Sequence, residues 1–217
     1  MKSPALAFTL LAPLLLTGCA FLEIELPPPS VAAYVPTNYK GEARLPADVR
    51  RVAVLPAHGG DVADPESAAA LDPVLLTALQ RQVRFEIVTL SRDDCRRMFG
   101  AGSFGSTDAL PPGILEKIAT TYAVDAVLFT DITVYQPYRP LTLGLRAKLA
   151  TAHDVRLVWS FDEVFSGGQA AMRTSVDDYY AGTDKSAAMD VSAAVLQSPT
   201  RFGAVAADLM FRTLPPR

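Results

Sequence analysis

Three strand-like segments follow one another between Asp125 and Phe165 with no helical stretch between them, and this limits the folds open to the chain more than any other feature. Asp125 to Tyr135 contains Ala126-Val127-Leu128-Phe129, apolar on both faces. A strand buried on both sides belongs in the middle of a covered sheet. Leu141 to Thr151 alternates instead, with Leu141, Leu143, Leu145, Ala147 and Leu149 on one side and Arg146 and Lys148 on the other. Successive side chains on a strand point to opposite faces, so this segment has one buried face and one wet one. Arg156 to Phe165 pairs with it across a turn near His153-Asp154, puts Trp159 and Phe161 on one face, and stops at Ser166-Gly167-Gly168.

Upstream the pattern changes. Arg51 to Pro56 reads as a buried strand ended by proline and Gly59-Gly60. Asp72-Pro73 offers an N-cap and a proline at the first helical position, with Leu75, Ala78, Leu79 and Gln82 at helical spacing. Phe85 to Leu90 is a second strand, and Ser91-Arg92-Asp93-Asp94 is a capping-box-like start for a short helix to about Phe99. After a glycine-rich loop, Pro111-Pro112 opens a helix with Ile114, Leu115, Ile118 and Tyr122 on one side. Ser198-Pro199 caps a last helix whose Phe202, Val205, Ala206 and Leu209 fall at i, i+3, i+4 and i+7. The order β-α-β-α-α-β-β-β-α predicts an α/β fold: a mixed-sheet sandwich with helices packed on the sheet, one domain over residues 49–217 with a helical C-terminal part.

The N-terminus is a different kind of segment. Met1-Lys2 carries one positive charge, and the mostly apolar run from Ala5 to Leu16 is shorter than the ~20 residues that span a bilayer. A charged start, a short apolar centre and a small-residue end describe a signal peptide over residues 1–18. Leu16-Thr17-Gly18-Cys19 resembles the lipobox of bacterial lipoproteins. The resemblance implies cleavage before Cys19, lipid on its sulfur, and acylation of the new amine. One acyl chain holds a protein only marginally at a membrane, whereas two or more anchor it stably. Ala20 stands where an aspartate usually retains lipoproteins in the inner membrane, so the resemblance implies the outer membrane, on its periplasmic face.

Residues 19–48 read as the lipidated cysteine and a proline-rich tether, with Pro27-Pro28-Pro29, Pro36 and Pro46 and no sustained period. About thirty such residues reach roughly 30 to 90 Å. Tyr34 and Tyr39 leave open a second reading, in which part of the segment packs on the domain as an arm. The formal charge of −3 becomes −4 when Lys2 leaves with the signal, which argues against nucleic acid as a partner. With Cys19 lipidated, Cys95 is left as a free thiol.

Motifs of catalysis are weak. Gly100-Ala101-Gly102-Ser103-Phe104-Gly105 matches G-x-G-x-x-G but follows a helix, whereas a dinucleotide loop leaves a strand and opens a helix. Two histidines, His58 and His153, are too few to suggest a zinc site. No G-x-S-x-G elbow is present. Asp162 and Glu163 are neighbours on a strand and face opposite ways. Asp177-Asp178 reads as a solvated face. No catalytic residue, cofactor or metal is expected.

Tyr135-Gln136-Pro137-Tyr138-Arg139-Pro140 stands apart. It joins two strands, is expected to emerge at a sheet edge, and holds residue types enriched among interface anchors. Tyr135, Tyr138 and Arg139 are the candidate partner interface. The other reading is a rigid connection whose tyrosines cover their own domain.

With the lipobox, the stretches Arg51 to Pro56, Arg84 to Val88 and Tyr122 to Thr133 resemble the CsgG-like group of envelope lipoproteins, whose structural relatives include LpoB, PelC and the TolB amino-terminal domain. The resemblance implies an α/β sandwich without cofactor or catalysis, working through partners or rings. The expected function is that of a non-enzymatic accessory or docking subunit of an envelope assembly or export machine, self-associating, with its envelope partner unidentified. The alternative is a subunit of a curli-type secretion pore.

Overall fold

In the computed structural model, residues 31–181 and 194–217 are described. The signal segment, Cys19 and the first part of the tether lie outside them. Three long strands form the centre: β4 (Ala126–Gln136), β5 (Thr142–Thr151) and β6 (Leu157–Ser166). Both pairings are antiparallel, with Leu128 opposite Leu149 and Leu149 opposite Trp159. The row of leucines read from the sequence is buried as expected, and Trp159, Phe161 and Phe165 extend it across β6. Trp159 and Phe161 stack at 6.0 Å, Phe161 and Phe165 at 6.2 Å.

Two short parallel strands continue the sheet. β2 (Arg51–Val54) pairs with β4 on one side and with β3 (Glu86–Thr89) on the other. Asp125 locks this end, accepting the N–H groups of Arg50 and Arg51 at 2.8 Å each. β1 (Tyr39–Gly41) adds antiparallel to β6, giving the order β1-β6-β5-β4-β2-β3. The sheet is mixed and the fold is α/β, as expected.

β1 belongs to the segment read as a tether, so from Val31 on the arm reading describes the chain. Tyr34 packs edge-on to Phe165 at 5.6 Å and donates its hydroxyl to Glu163 at 2.7 Å. Glu163 also accepts the N–H groups of Thr37 and Asn38. Leu45 is buried in the main core.

Five helices cover the sheet among the described residues. α1 (Pro65–Gln80), α4 (Ala170–Ala181) and α5 (Pro199–Phe211) pack on one face. α2 (Arg92–Phe99) and α3 (Ile114–Tyr122) pack on the other, over Ala53, Val127 and Phe129. The capping box of Ser91 with Asp94 forms, and Gly100 closes α2 at φ 84°, in the left-handed region that favours glycine. α1 starts eight residues before the expected point. Asp64 is its cap, accepting from Glu66 and Ser67 N–H, and Pro65 takes the first position. Pro73 lies inside the helix. Asp72 does not cap it, because its carboxylate is committed elsewhere.

Candidate functional site

The parallel strands β2 and β3 and the strand β4 all end on the same side of the sheet, where an open α/β sheet usually places its ligand crevice. Asp72 comes to this end from α1, and accepts the Ala57 N–H at 2.8 Å and the Arg92 guanidinium at 2.8 and 3.0 Å. Arg92 also donates to the Ala57 carbonyl. One ion pair therefore ties α1, the start of α2 and the exit of β2 together. Beside it lies a cleft of about 330 Å³ lined mainly by Val54, Leu55, Leu75, Leu76, Leu79 and Leu90. Its charged groups, Asp72 and Arg92, are paired with each other, and the rest of its lining is mainly apolar.

The glycine-rich stretch is a loop leaving α2, as its position in the sequence predicts. Three residues, His58, Asp131 and Lys148, pin it down. His58 meets the Ser103 hydroxyl at 3.2 Å through Nδ1 and stands 3.7 Å from Asp108 through Nε2. Ser106 donates its N–H at 2.8 Å and its hydroxyl to the buried Asp131, and the Lys148 ammonium reaches the Ser106 carbonyl at 2.9 Å. Serine, histidine and aspartate thus meet. A triad needs the carboxylate to hold the imidazole by a hydrogen bond, whereas Asp108 is beyond that reach, more than half exposed, and accepts the Gly105 N–H. His153 lies exposed in the β5–β6 turn. No group of three or more His, Cys, Asp and Glu able to hold a metal occurs among the described residues.

The loop between β4 and β5 leaves from the end of the sheet; β6 covers the far side of β5 there, whereas β2 pairs with β4 only over Ala126 to Leu128, so the last residues of β4 form a local edge, as expected. Its three candidate residues separate. Tyr135 sits opposite Leu143 and packs half-buried against the main core. Tyr138 is 84 % exposed and Arg139 is exposed beside it. The loop is braced at its far end: Leu141 is buried, its carbonyl accepts the Gly167 N–H, and Pro140 approaches Gly168. The adjacent carboxylates do diverge, Asp162 to Arg146 and Glu163 to the arm. Asp177 has its carboxyl raised from the ordinary range by burial first and by the Asp178 charge second.

Sequence reasoning missed the Asp72–Arg92 tie, for which the second Asp-Pro step was the only signal, and read it as a cap. It found Arg146 and Lys148 on the wet face but not Lys40, which joins them only once the arm has paired.

No family model matches the chain, and no curated protein matches its sequence. Several solved structures are similar to it. One is the PelC dodecamer of Paraburkholderia phytofirmans, at 13 % identity over 83 % of this chain and 97 % of that one, with a TM-score of 0.47. Another is a lipoprotein of Neisseria meningitidis, at 13 % identity over 64 % and 98 %, TM-score 0.42. A third is the C-terminal domain of LpoB from Salmonella enterica, at 16 % identity over 54 % and 82 %, TM-score 0.35.

Proposed function

We propose that this chain is a non-enzymatic lipoprotein, anchored through lipid on Cys19 at the periplasmic face of the outer membrane, that docks on an envelope assembly or export machine and self-associates, as the CsgG-like group does. The domains assigned to it are a signal peptide over residues 1–18, a lipidated Cys19 with a short linker to Val31, and the α/β domain with its docked arm. Residues 19–30 span at most about 40 Å even when fully extended. The observation that carries docking is Tyr138: a large aromatic ring, 84 % exposed, held on a loop between the half-buried Tyr135 and the buried Leu141. Water solvates such a ring poorly, and a partner that covers it gains apolar burial without having to order the loop first. The pore alternative has no specific support. The faces of β5 and β6 that a barrel would turn to lipid are the buried core of the domain, with Leu145, Leu149, Trp159 and Phe165 at 0 % exposure.

The test is the double change Tyr138→Ala, Arg139→Ala in cells. Interface anchors cost ~2 kcal/mol or more when truncated, whereas exposed substitutions change stability by ~0.5 kcal/mol. Complexes recovered from crosslinked envelopes should fall several-fold while the melting temperature holds. Unchanged recovery would place the interface elsewhere. A fall in melting temperature of many degrees would make the loop a cover for its own core.

A further inference from the structure

We infer that the uncovered face of β5, β6 and β1 is a docking ledge for an acidic polypeptide segment of a partner protein. The inference rests on the docking reading but on a different surface from the Tyr138 loop. α2 and α3 form a third layer over β2, β3 and β4, and the core beneath them includes no residue of β6 or β1. The register lines up Lys40, Ser160 and Lys148 across three strands on the same face as Phe129, and puts Asp162 opposite Arg146 one row along. Neighbouring strands lie ~4.8 Å apart, and successive residues on one face lie ~7 Å apart along a strand. The ledge is therefore a short grid of cations.

Its charge is not balanced internally. Asp162 is paired with Arg146 at 2.7 Å. The Lys148 ammonium rests on a neutral carbonyl, that of Ser106, and no acid faces Lys40 across the ladder. Three cations, Lys40, Arg146 and Lys148, stand against Asp162 and the buried Asp131 on the far side of Arg146, which leaves a net positive strip on a chain of net charge −3. An opening of about 260 Å³ runs between these side chains.

Shape selects among anions. The α2–α3 layer rises about 10 Å above the sheet, and the loop through Ser106 forms the riser of this step. A flat bilayer meets the riser before it meets the floor, whereas a single polypeptide segment lies on the floor. Carboxylates at alternate positions of an extended chain repeat at the ~7 Å row spacing. A floor lined by charged side chains suits a steered, salt-sensitive contact.

The test uses the mature full-length chain in phosphatidylcholine nanodiscs and fluorescein-labelled poly-L-glutamate. Binding should weaken steeply with salt and fall at least tenfold in Lys40→Glu, Lys148→Glu. It should fall less than twofold in Arg44→Glu, Arg50→Glu, an equal charge change at exposed positions off the ledge. Amide exchange should slow over residues 142–148 and 158–164 when the polymer is bound. If the reversed pair fails to melt cooperatively, Lys40→Gln, Lys148→Gln should still lower affinity at least threefold. Equal losses in ledge and control variants, or protection elsewhere, would overturn the inference. So would a ledge that prefers polygalacturonate or phosphatidylglycerol vesicles to polyglutamate. None of these variants touches Tyr138 or Arg139, so failure here leaves the loop's role standing.

Discussion

Val83 sits at φ 51° with its side chain 84 % exposed. A β-branched residue in the left-handed region is strained, and here no buried contact of its side chain offsets the strain. Val155, at φ 54° and 62 % exposed, repeats the situation in the β5–β6 turn. Val83→Gly should therefore raise the melting temperature by roughly 1–4 °C in scanning calorimetry; a lower value would mean that the side chain makes a stabilising contact. Cys95 is the opposite case, a residue made inert by its surroundings. It is fully buried, and burial first, then the Asp94 charge, push its thiol up to about 11. The thiolate is the reactive form, so iodoacetamide at pH 7.5 should leave Cys95 unlabelled in the folded protein and label it in denaturant. Rapid native labelling would contradict the burial.

At the scale of elements, one side chain gathers three of the arm's hydrogen bonds. Glu163 accepts the Tyr34 hydroxyl and two backbone N–H groups, and Tyr34 N–H bonds back to α4 through Ser175. Burial and the nearby Glu163 raise the Tyr34 phenol well above its ordinary value, so it remains a donor over the working pH range. Glu163→Ala leaves three donors without their acceptor, worth about 1–3 kcal/mol of local stability. Amide exchange over residues 34–41 should speed at least several-fold while β4 and β5 stay protected; unchanged exchange would mean that β1 pairing alone holds the arm. This arm also shows what the sequence conceals. β4 to β6, the capping box of α2 and the last helix were legible because each rests on local periodicity or local capping chemistry. The arm was not, because β1 is three residues long and its partner, β6, lies about 120 residues away. Asp64-Pro65 and Asp72-Pro73 carry the same helix-start signal, and the tie breaks only in three dimensions, where Arg92 and Ala57 claim the second aspartate. In the loop, the sequence grouped Tyr135 with Tyr138, but a register shift in β4 between Ile132 and Val134 turns Tyr135 to the main core while Tyr138 lies beyond the strand.

For the whole molecule, a sheet with three layers at one end and two at the other presents an exposed aromatic loop and a basic ledge, with no catalytic constellation assembled among the described residues. Under the proposed function these are surfaces for partners, useful only if the protein is held where those partners are. Everything about location stands on Cys19, so the most direct measurement is metabolic labelling of cells with radioactive palmitate, comparing the wild type with Cys19→Ser. Two or more acyl chains give lasting attachment, so the wild type should carry label and sediment with the outer membrane after cell disruption. Cys19→Ser should carry none and accumulate as an unprocessed precursor. Equal label in both forms, or no label in either with the wild type in the soluble periplasmic fraction, would contradict the lipid anchor and the account built on it.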